Sequence, residues 1–361
     1  VYHHMPGFNR VSDWHDYFQQ QFDGHYQTLL HANQDVSNFN FPRGYPLNQL
    51  PSVKTLSRPP RNPREFDWGP LTKADLETGD GRMVGWFKQQ LRTEHPRPFL
   101  MIAGIYRPHL PFYAPEAYFD RVAIQDVSLP PILDRDIQDL PPGGKALAAQ
   151  RREDLKLVRE QGKFQEMIHA YLASVTYADT LVGELLDALD SSDAADNTII
   201  VFWSDHGWHF GEKEHLHKMT LWERATHIPF IVSVPNGDEA GTVCGAPVSL
   251  IDIFPTLTTL CHLPELKQLD GQNLSPLLAH TDREWPYPAI TTHGYNNHSV
   301  RTARWRYIRY SDGGEELYDH HSDPNEWNNL AANPKFDPIK ETLRRSIPET
   351  NQPSRSKKRH P

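Results

Sequence analysis

Two periods of apolar positions alternate along this chain. The run Asn197-Thr-Ile-Ile-Val-Phe-Trp203 is β-branched and unbroken, which predicts a strand buried in a parallel sheet. Ile228-Pro-Phe-Ile-Val-Ser-Val234 predicts another, and Pro98-Phe-Leu-Met-Ile-Ala-Gly104 a third, short one. Between them the period changes. Met83, Val84, Trp86, Phe87 and Leu91 mark a helix over 80–91. Phe164, Ile168, Tyr171, Val175, Ala178, Val182, Leu185 and Leu189 form one stripe of a long helix that must pack on the sheet. Leu250–Leu260 reads as an apolar helix with Pro255 in or near its first turns. This alternation predicts an α/β fold, a mostly parallel sheet sandwiched by helices, over residues 1–285.

From Pro288 the pattern shortens. Ala289–Thr292, Ser299–Thr302, Trp305–Tyr310 and Glu315–Tyr318 read as strands with Ser311-Asp-Gly-Gly314 as a turn, a small antiparallel C-terminal subdomain over 286–350. Residues 351–361 read as a basic disordered tail. Residues 1–70, rich in Pro, Asn and Gln, read as long surface segments, and Ser128–Gly144 as a loop before the long helix.

With 361 residues the chain can bury a substantial core, and its net charge of −9 argues against nucleic acid or an anionic membrane as partner. No stretch approaches the ~18 apolar residues of a membrane span, and the first residues lack a signal-peptide pattern. The opening Val1-Tyr-His-His, without Met, points to an upstream segment outside this sequence. The two cysteines, Cys244 and Cys261, allow one bridge or two free thiols, with free thiols the expectation.

Candidate chemistry gathers at two strand ends. Asp205 and His206 follow the Asn197–Trp203 strand, where open α/β sheets place their sites. A carboxylate and an imidazole there suit a divalent cation or an oxyanion; a solvated turn is the competing reading. Lys218 lies beyond the same turn, either gripping an anion or solvated. After the strand at 98–104, Pro108 and Pro111 hold His109 between them, a general acid or a structural imidazole. Its neighbour Arg107 is an anion partner or a surface cation. Trp208 and His209 line a pocket, pack in the core or sit in a surface turn. His3 and His4 open the chain, where a tag is the plain alternative.

Taken in order, Gly104-Ile-Tyr-Arg-Pro-His-Leu-Pro-Phe112, Tyr171-Leu-Ala-Ser-Val-Thr-Tyr-Ala-Asp-Thr-Leu-Val-Gly183, Ser204-Asp-His-Gly-Trp-His-Phe-Gly-Glu212 with Lys218, and Ala225-Thr-His-Ile-Pro229 resemble the sulfatases of the alkaline-phosphatase-like superfamily, particularly their iduronate-2-sulfatase-like branch. Glu316–Leu330 is similar to the segment that closes that family's small subdomain. The resemblance implies a sulfuric ester hydrolase acting on sulfated saccharides. It implies Asp205 and His206 as ligands of Ca2+, with Mg2+ the other option, Lys218 on the sulfate, His109 as proton donor to the leaving group, and His3 beside the nucleophile. Family members are commonly exported, periplasmic or lysosomal.

The sequence departs from the pattern at the nucleophile. The family makes a formylglycine from the Cys or Ser of a Cys/Ser-x-Pro-Ser-Arg motif, and none stands here; the nearest imitation, Asn351-Gln-Pro-Ser-Arg355, has Asn in place of that residue. The family's strand with two adjacent Asp metal ligands is absent as well. The chain as written is therefore expected to show little turnover and weak metal binding. A phosphate or phosphonate ester hydrolase of the same superfamily, or a non-catalytic relative that binds sulfated sugars, are the other readings.

Overall fold

The computed structural model describes residues 47–50, 66–72, 74–237 and 240–352, and the chain divides into two units. The first unit takes residues up to Leu129 together with Lys156–Thr198. In it β1 (Trp68–Leu71) lies parallel to β2 (Phe112–Pro115), with Trp68 opposite Phe112. Asp67 fixes the entry to β1 from a fully buried position. It accepts the backbone N–H groups of Leu47 (3.0 Å) and Asn48 (2.9 Å) and the Tyr113 hydroxyl (2.6 Å). The helix Gly79–Gln90 starts where Thr78 caps the Gly81 N–H at 3.0 Å. Its Met83, Val84 and Phe87 pack against Ala114, Tyr118 and, from the helix Phe164–Asp190, Ala173, Tyr177 and Leu181. Burying side chains such as Phe87 and Leu181 contributes about 1.5–3 kcal/mol each.

The second unit takes Pro130–Leu155 and the chain from Ile199. Here β3 (Ile200–Trp203) pairs with β6 (Phe230–Ser233), and a short ribbon of β4 (His209–Phe210) and β5 (Leu216–His217) lies between them in sequence. The helix Ile253–Leu260 supplies Ile253, Thr256 and Leu257 to a small apolar cavity shared with Val201, Phe230 and Val232. Four strands, β7 (Ala289–Thr292), β8 (His298–Arg301), β9 (Trp305–Arg309) and β10 (Glu315–Asp319), form an antiparallel meander in chain order. One face of it packs Ile308, Tyr310 and Tyr318 on Leu140, Leu147, Leu221 and Trp222. The other packs Val300, Tyr307 and Leu317 on Leu343 of the helix Asp337–Arg344 and on Ile347 just beyond it.

The α/β class and the C-terminal antiparallel strands agree with the sequence pattern. Several particulars differ. Parallel pairing is found for β1 and β2, whereas β3 runs antiparallel to β6. Nor is either strand buried as the apolar runs predict: Phe202 and Ile231 are exposed and their neighbours only half-buried, so the run encodes strand propensity but neither direction nor burial. Here the chain returns at one end: the Ser204 N–H reaches the Pro229 carbonyl (3.3 Å), and those of Gly207 and Trp208 reach Ala225 and Arg224 (2.8 Å each). Residues 98–105 form no strand, and Leu100 is 68% exposed; strand propensity without a neighbouring ladder does not make a strand. Residues 66–69, within the 1–70 stretch expected at the surface, are core, with Phe66 and Trp68 buried. The long helix buries Met167, Ala170, Ser174, Tyr177 and Leu181 and leaves Val175 exposed, so its buried face is rotated from the predicted stripe although Ile168 and Leu189 belong to it. Ser174 and Tyr177 are polar or amphipathic, and a hydrophobic count passes over them. Cys244 and Cys261 are free thiols. No described helix is long and apolar enough to cross a membrane. The basic tail from 353 onward lies outside the described residues, as does most of the segment before 66.

Candidate functional site

The turn after β3 brings three of the predicted residues together. The His206 Nδ1–H donates to the Gly207 carbonyl at 2.8 Å, which leaves Nε2 as the acceptor. Lys218 Nζ meets that Nε2 at 2.7 Å, and Asp205 Oδ1 lies 3.5 Å from it. Burial first, and the Lys218 charge second, hold the His206 pKa below its ordinary value, with Asp205 pulling the other way. His206 is therefore a neutral base at pH 7. Gly207 is required by close approach: a Cβ there would stand 2.1 Å from the Arg224 carbonyl oxygen.

Lys218 arrives through an unusual backbone. Lys213 (φ 55°), Glu214 (φ 48°), His217 (φ 82°) and Met219 (φ 70°) are all left-handed without being glycine. Each such residue costs on the order of 1–3 kcal/mol and persists only when its surroundings hold it. The surroundings do hold it. Lys213, 1% exposed, donates to Asp136 Oδ1 (2.8 Å) and to the Glu326 carbonyl. Glu214 pairs with Arg152 at 3.1 Å. The His215 ring nitrogens stand 3.0 Å from the Ala148 carbonyl and 3.1 Å from that of Lys218. His217 Nε2 donates to Asp154 at 3.0 Å and its ring lies 4.9 Å from that of Trp208. His209 is fully buried and bonds Thr220 Oγ1 at 2.7 Å, placing it in the core.

In the first unit, the loop before β2 carries His109. Asp80 holds it by accepting the backbone N–H groups of Tyr106 (2.9 Å) and Arg107 (3.2 Å). His109 Nδ1 lies 2.7 Å from the Leu110 carbonyl and 2.8 Å from the Tyr106 hydroxyl, which itself donates to that carbonyl at 2.9 Å. A carbonyl only accepts, so Nδ1 carries the proton and Nε2 is the basic nitrogen of the neutral ring. Arg107 is buried, stacks over Tyr106 and Tyr113, and donates to the His109 carbonyl at 3.3 Å.

A buried ionic web ties the segment after Lys218 to the meander. Arg306 pairs with Glu223 and Glu326 and donates to the Leu221 carbonyl (3.0 Å) and Ser299 Oγ (2.6 Å). Burial raises the Glu223 pKa, but Arg306 and Arg301 outweigh it and bring the carboxyl to about 2. Glu223, His320 and Glu326 place ligand atoms within 4.8 Å of one another, a geometry open to a metal ion. Arg306 and Arg301 already neutralise these carboxylates, so the group reads as a structural ion pair. Fully buried Glu316 likewise accepts from Trp222 Nε1 (2.7 Å), Tyr310 (2.8 Å) and Tyr318 (2.7 Å).

The family profile described as Sulfatase matches residues 6–263, and that of the N-sulphoglucosamine sulphohydrolase C-terminal region matches 211–353. The chain belongs to the sulfatase family. A sulfatase of Formosa agariphila is 38% identical over 79% of this chain and 56% of its own length. Human arylsulfatase K is 26% identical over 92% of this chain and 65% of its own length. This sulfatase chain thus spans between half and two thirds of these relatives. These descriptions carry the family and not the iduronate-2-sulfatase-like branch. Among solved structures, a phosphonate monoester hydrolase from Silicibacter pomeroyi has a TM-score of 0.69 at 22% identity, covering 88% of this chain and 66% of its own. A protein in complex with its substrate D-glucosamine-2-N,6-O-disulfate has a TM-score of 0.62 at 19% identity, covering 74% and 68%. At these identities the likeness is one of fold.

Sulfatases generally use a divalent metal, and the sequence resemblance assigns Asp205 and His206 to it. Their donor atoms converge, but Lys218 occupies the His206 Nε2 lone pair, and a hard dication takes six or more oxygen-rich ligands. This pair alone does not fit the ion, and no step is routed through it. The formylglycine fits no better, since Cys244 precedes Gly-Ala-Pro and Cys261 precedes His-Leu-Pro. His3 lies outside the described residues. Sequence reading did not single out Asp154, Arg151 and His217; only the density of histidines between 206 and 217 hinted at the last.

Proposed function

We propose that this chain carries the sulfate-binding and leaving-group elements of a sulfuric ester hydrolase for sulfated saccharides. The observation that supports it is the Asp205–His206–Lys218 contact at the end of β3, in a chain of the sulfatase family. The Lys218 ammonium offsets charge on a sulfate oxygen, and neutral His206 keeps that ammonium in place. His109, with one proton fixed on Nδ1, takes a second from solvent on Nε2 and donates it to the ester oxygen of the departing alcohol as the S–O bond breaks. Buried Arg107 holds the His109 backbone and offers its charge to the same region. An iduronate-2-sulfatase-like specificity is the finer reading and rests on the sequence blocks Gly104–Phe112 and Ser204–Glu212. With no formylglycine motif in the sequence, hydrolysis by these residues alone is expected at background.

The test is calorimetric titration with a sulfated monosaccharide, its phosphorylated counterpart and the unmodified sugar. Sulfate preference that disappears in Lys218→Ala supports the proposal. Preference for the phosphate ester favours the phosphonate-hydrolase reading, for which the Silicibacter likeness is the support, and equal binding of the unmodified sugar sinks both.

A further inference from the structure

Lys218 stands between two left-handed residues, His217 and Met219, in a turn whose other members are tied to the Pro130–Leu155 segment. On the residue next to Lys218 the tie is the 3.0 Å hydrogen bond from His217 Nε2 to Asp154 Oδ2. Asp154 is on the regular helix Arg152–Glu160, so it is a fixed anchor, and Arg151 Nη1 at 3.2 Å balances its charge. The φ of a residue directs where the next side chain leaves the backbone. If His217 relaxed to negative φ, the Lys218 Cα–Cβ bond would swing and Nζ would leave His206. The side chains of His217 and Asp154 are 12% and 8% exposed, too enclosed to contact a saccharide themselves.

We infer that Asp154 and His217 are positioning residues for Lys218: their hydrogen bond holds the left-handed turn that brings the ammonium to His206 and to the sulfate. The inference rests on the proposed sulfate role of Lys218. His215 packs against the same turn, its ring nitrogens 3.0 Å and 3.1 Å from the Ala148 and Lys218 carbonyls, and the single N–H of the neutral ring donates to one of them.

Two readouts on the 361-residue chain separate this inference from the reading beneath it. The first is affinity for inorganic sulfate by titration. Asp154→Ala is expected to weaken it roughly tenfold, Asp154→Asn, which keeps an acceptor for His217, by less than about twofold. Asp154→Ala should add nothing in a Lys218→Ala background, because the anchor acts only through that lysine. An equal loss in both backgrounds, or Asn behaving as Ala, overturns the inference. The second readout is the ligand-free nitrogen spectrum of the His206 ring. Asp154→Ala should move the Nε2 signal as Lys218→Ala does, and an unmoved signal overturns the positioning role whatever happens with sulfate. If Lys218→Ala leaves sulfate affinity unchanged, the sulfate reading fails, and the ring signal alone decides the positioning. If Asp154→Ala does not fold, Asp154→Glu displaces the same acceptor by one methylene and is judged by the same outcomes.

Discussion

At the scale of single residues, the Lys218–His206 contact sets a protonation state that can be read directly. Burial is the larger cause of the low His206 pKa and Lys218 the second, so Lys218→Ala should raise it without restoring the ordinary value. A ring titration by NMR checks this; a lower pKa in the variant would contradict the assignment. Gly207→Ala forces a Cβ onto the Arg224 carbonyl and should destabilise the fold by about 1–3 kcal/mol in urea unfolding. An unchanged midpoint would show that the backbone there gives way easily. Asp205, His206, Lys218 and His109 were visible in the sequence because each sits in a short, ordered block near an apolar run. Asp154 was not, since the residue it holds is 63 positions away and an isolated acid on a polar helix carries no local mark.

At the scale of elements, the four C-terminal strands were legible to within a residue or so because each is short, rich in β-branched or aromatic residues and bounded by turn residues. The direction of β3 was not legible, because partner choice lies in the path of residues 204–229 and not in the strand. The expected strand at 98–104 failed for the same reason: pairing is a property of two segments. What joins the site turn to the meander is the Arg306 web, and its charges were scattered over Glu223, Arg301 and Glu326 in sequence. Arg306→Met leaves buried Glu326 with only His320 and half-buried Glu223 with only Arg301 and histidine beside it, and should cost about 3 kcal/mol in urea unfolding. A loss below about 1 kcal/mol, the range of exposed pairs, would show that the web is not buried in solution.

At the scale of the whole molecule, six histidines, His206, His209, His215, His217, His293 and His298, have pKa values lowered chiefly by burial. The unfolded chain then binds more protons than the folded one just below the ordinary histidine pKa of about 6.5, so stability falls as pH drops through it. Buried acids with raised pKa, Asp136 and Glu316, act in the opposite sense. The more numerous histidines are expected to set the sign from about pH 7.5 to 5.5. Glu223 and Glu315, held at about 2, add stability above the ordinary carboxylate range that is lost as pH falls from there toward 2. Thermal melts should show the midpoint falling across both windows, and a midpoint that rises from pH 7.5 to 5.5 would contradict the burial of these imidazoles.

The central claim is that the β3-end turn receives a sulfate group at Lys218. Crystals of the chain soaked in selenate, a tetrahedral dianion like sulfate whose selenium scatters anomalously, test it most directly. An anomalous peak within hydrogen-bonding reach of Lys218 Nζ, lost in Lys218→Ala, is the predicted result. A peak elsewhere with none at Lys218, at a selenate concentration that saturates binding in solution, would contradict the account.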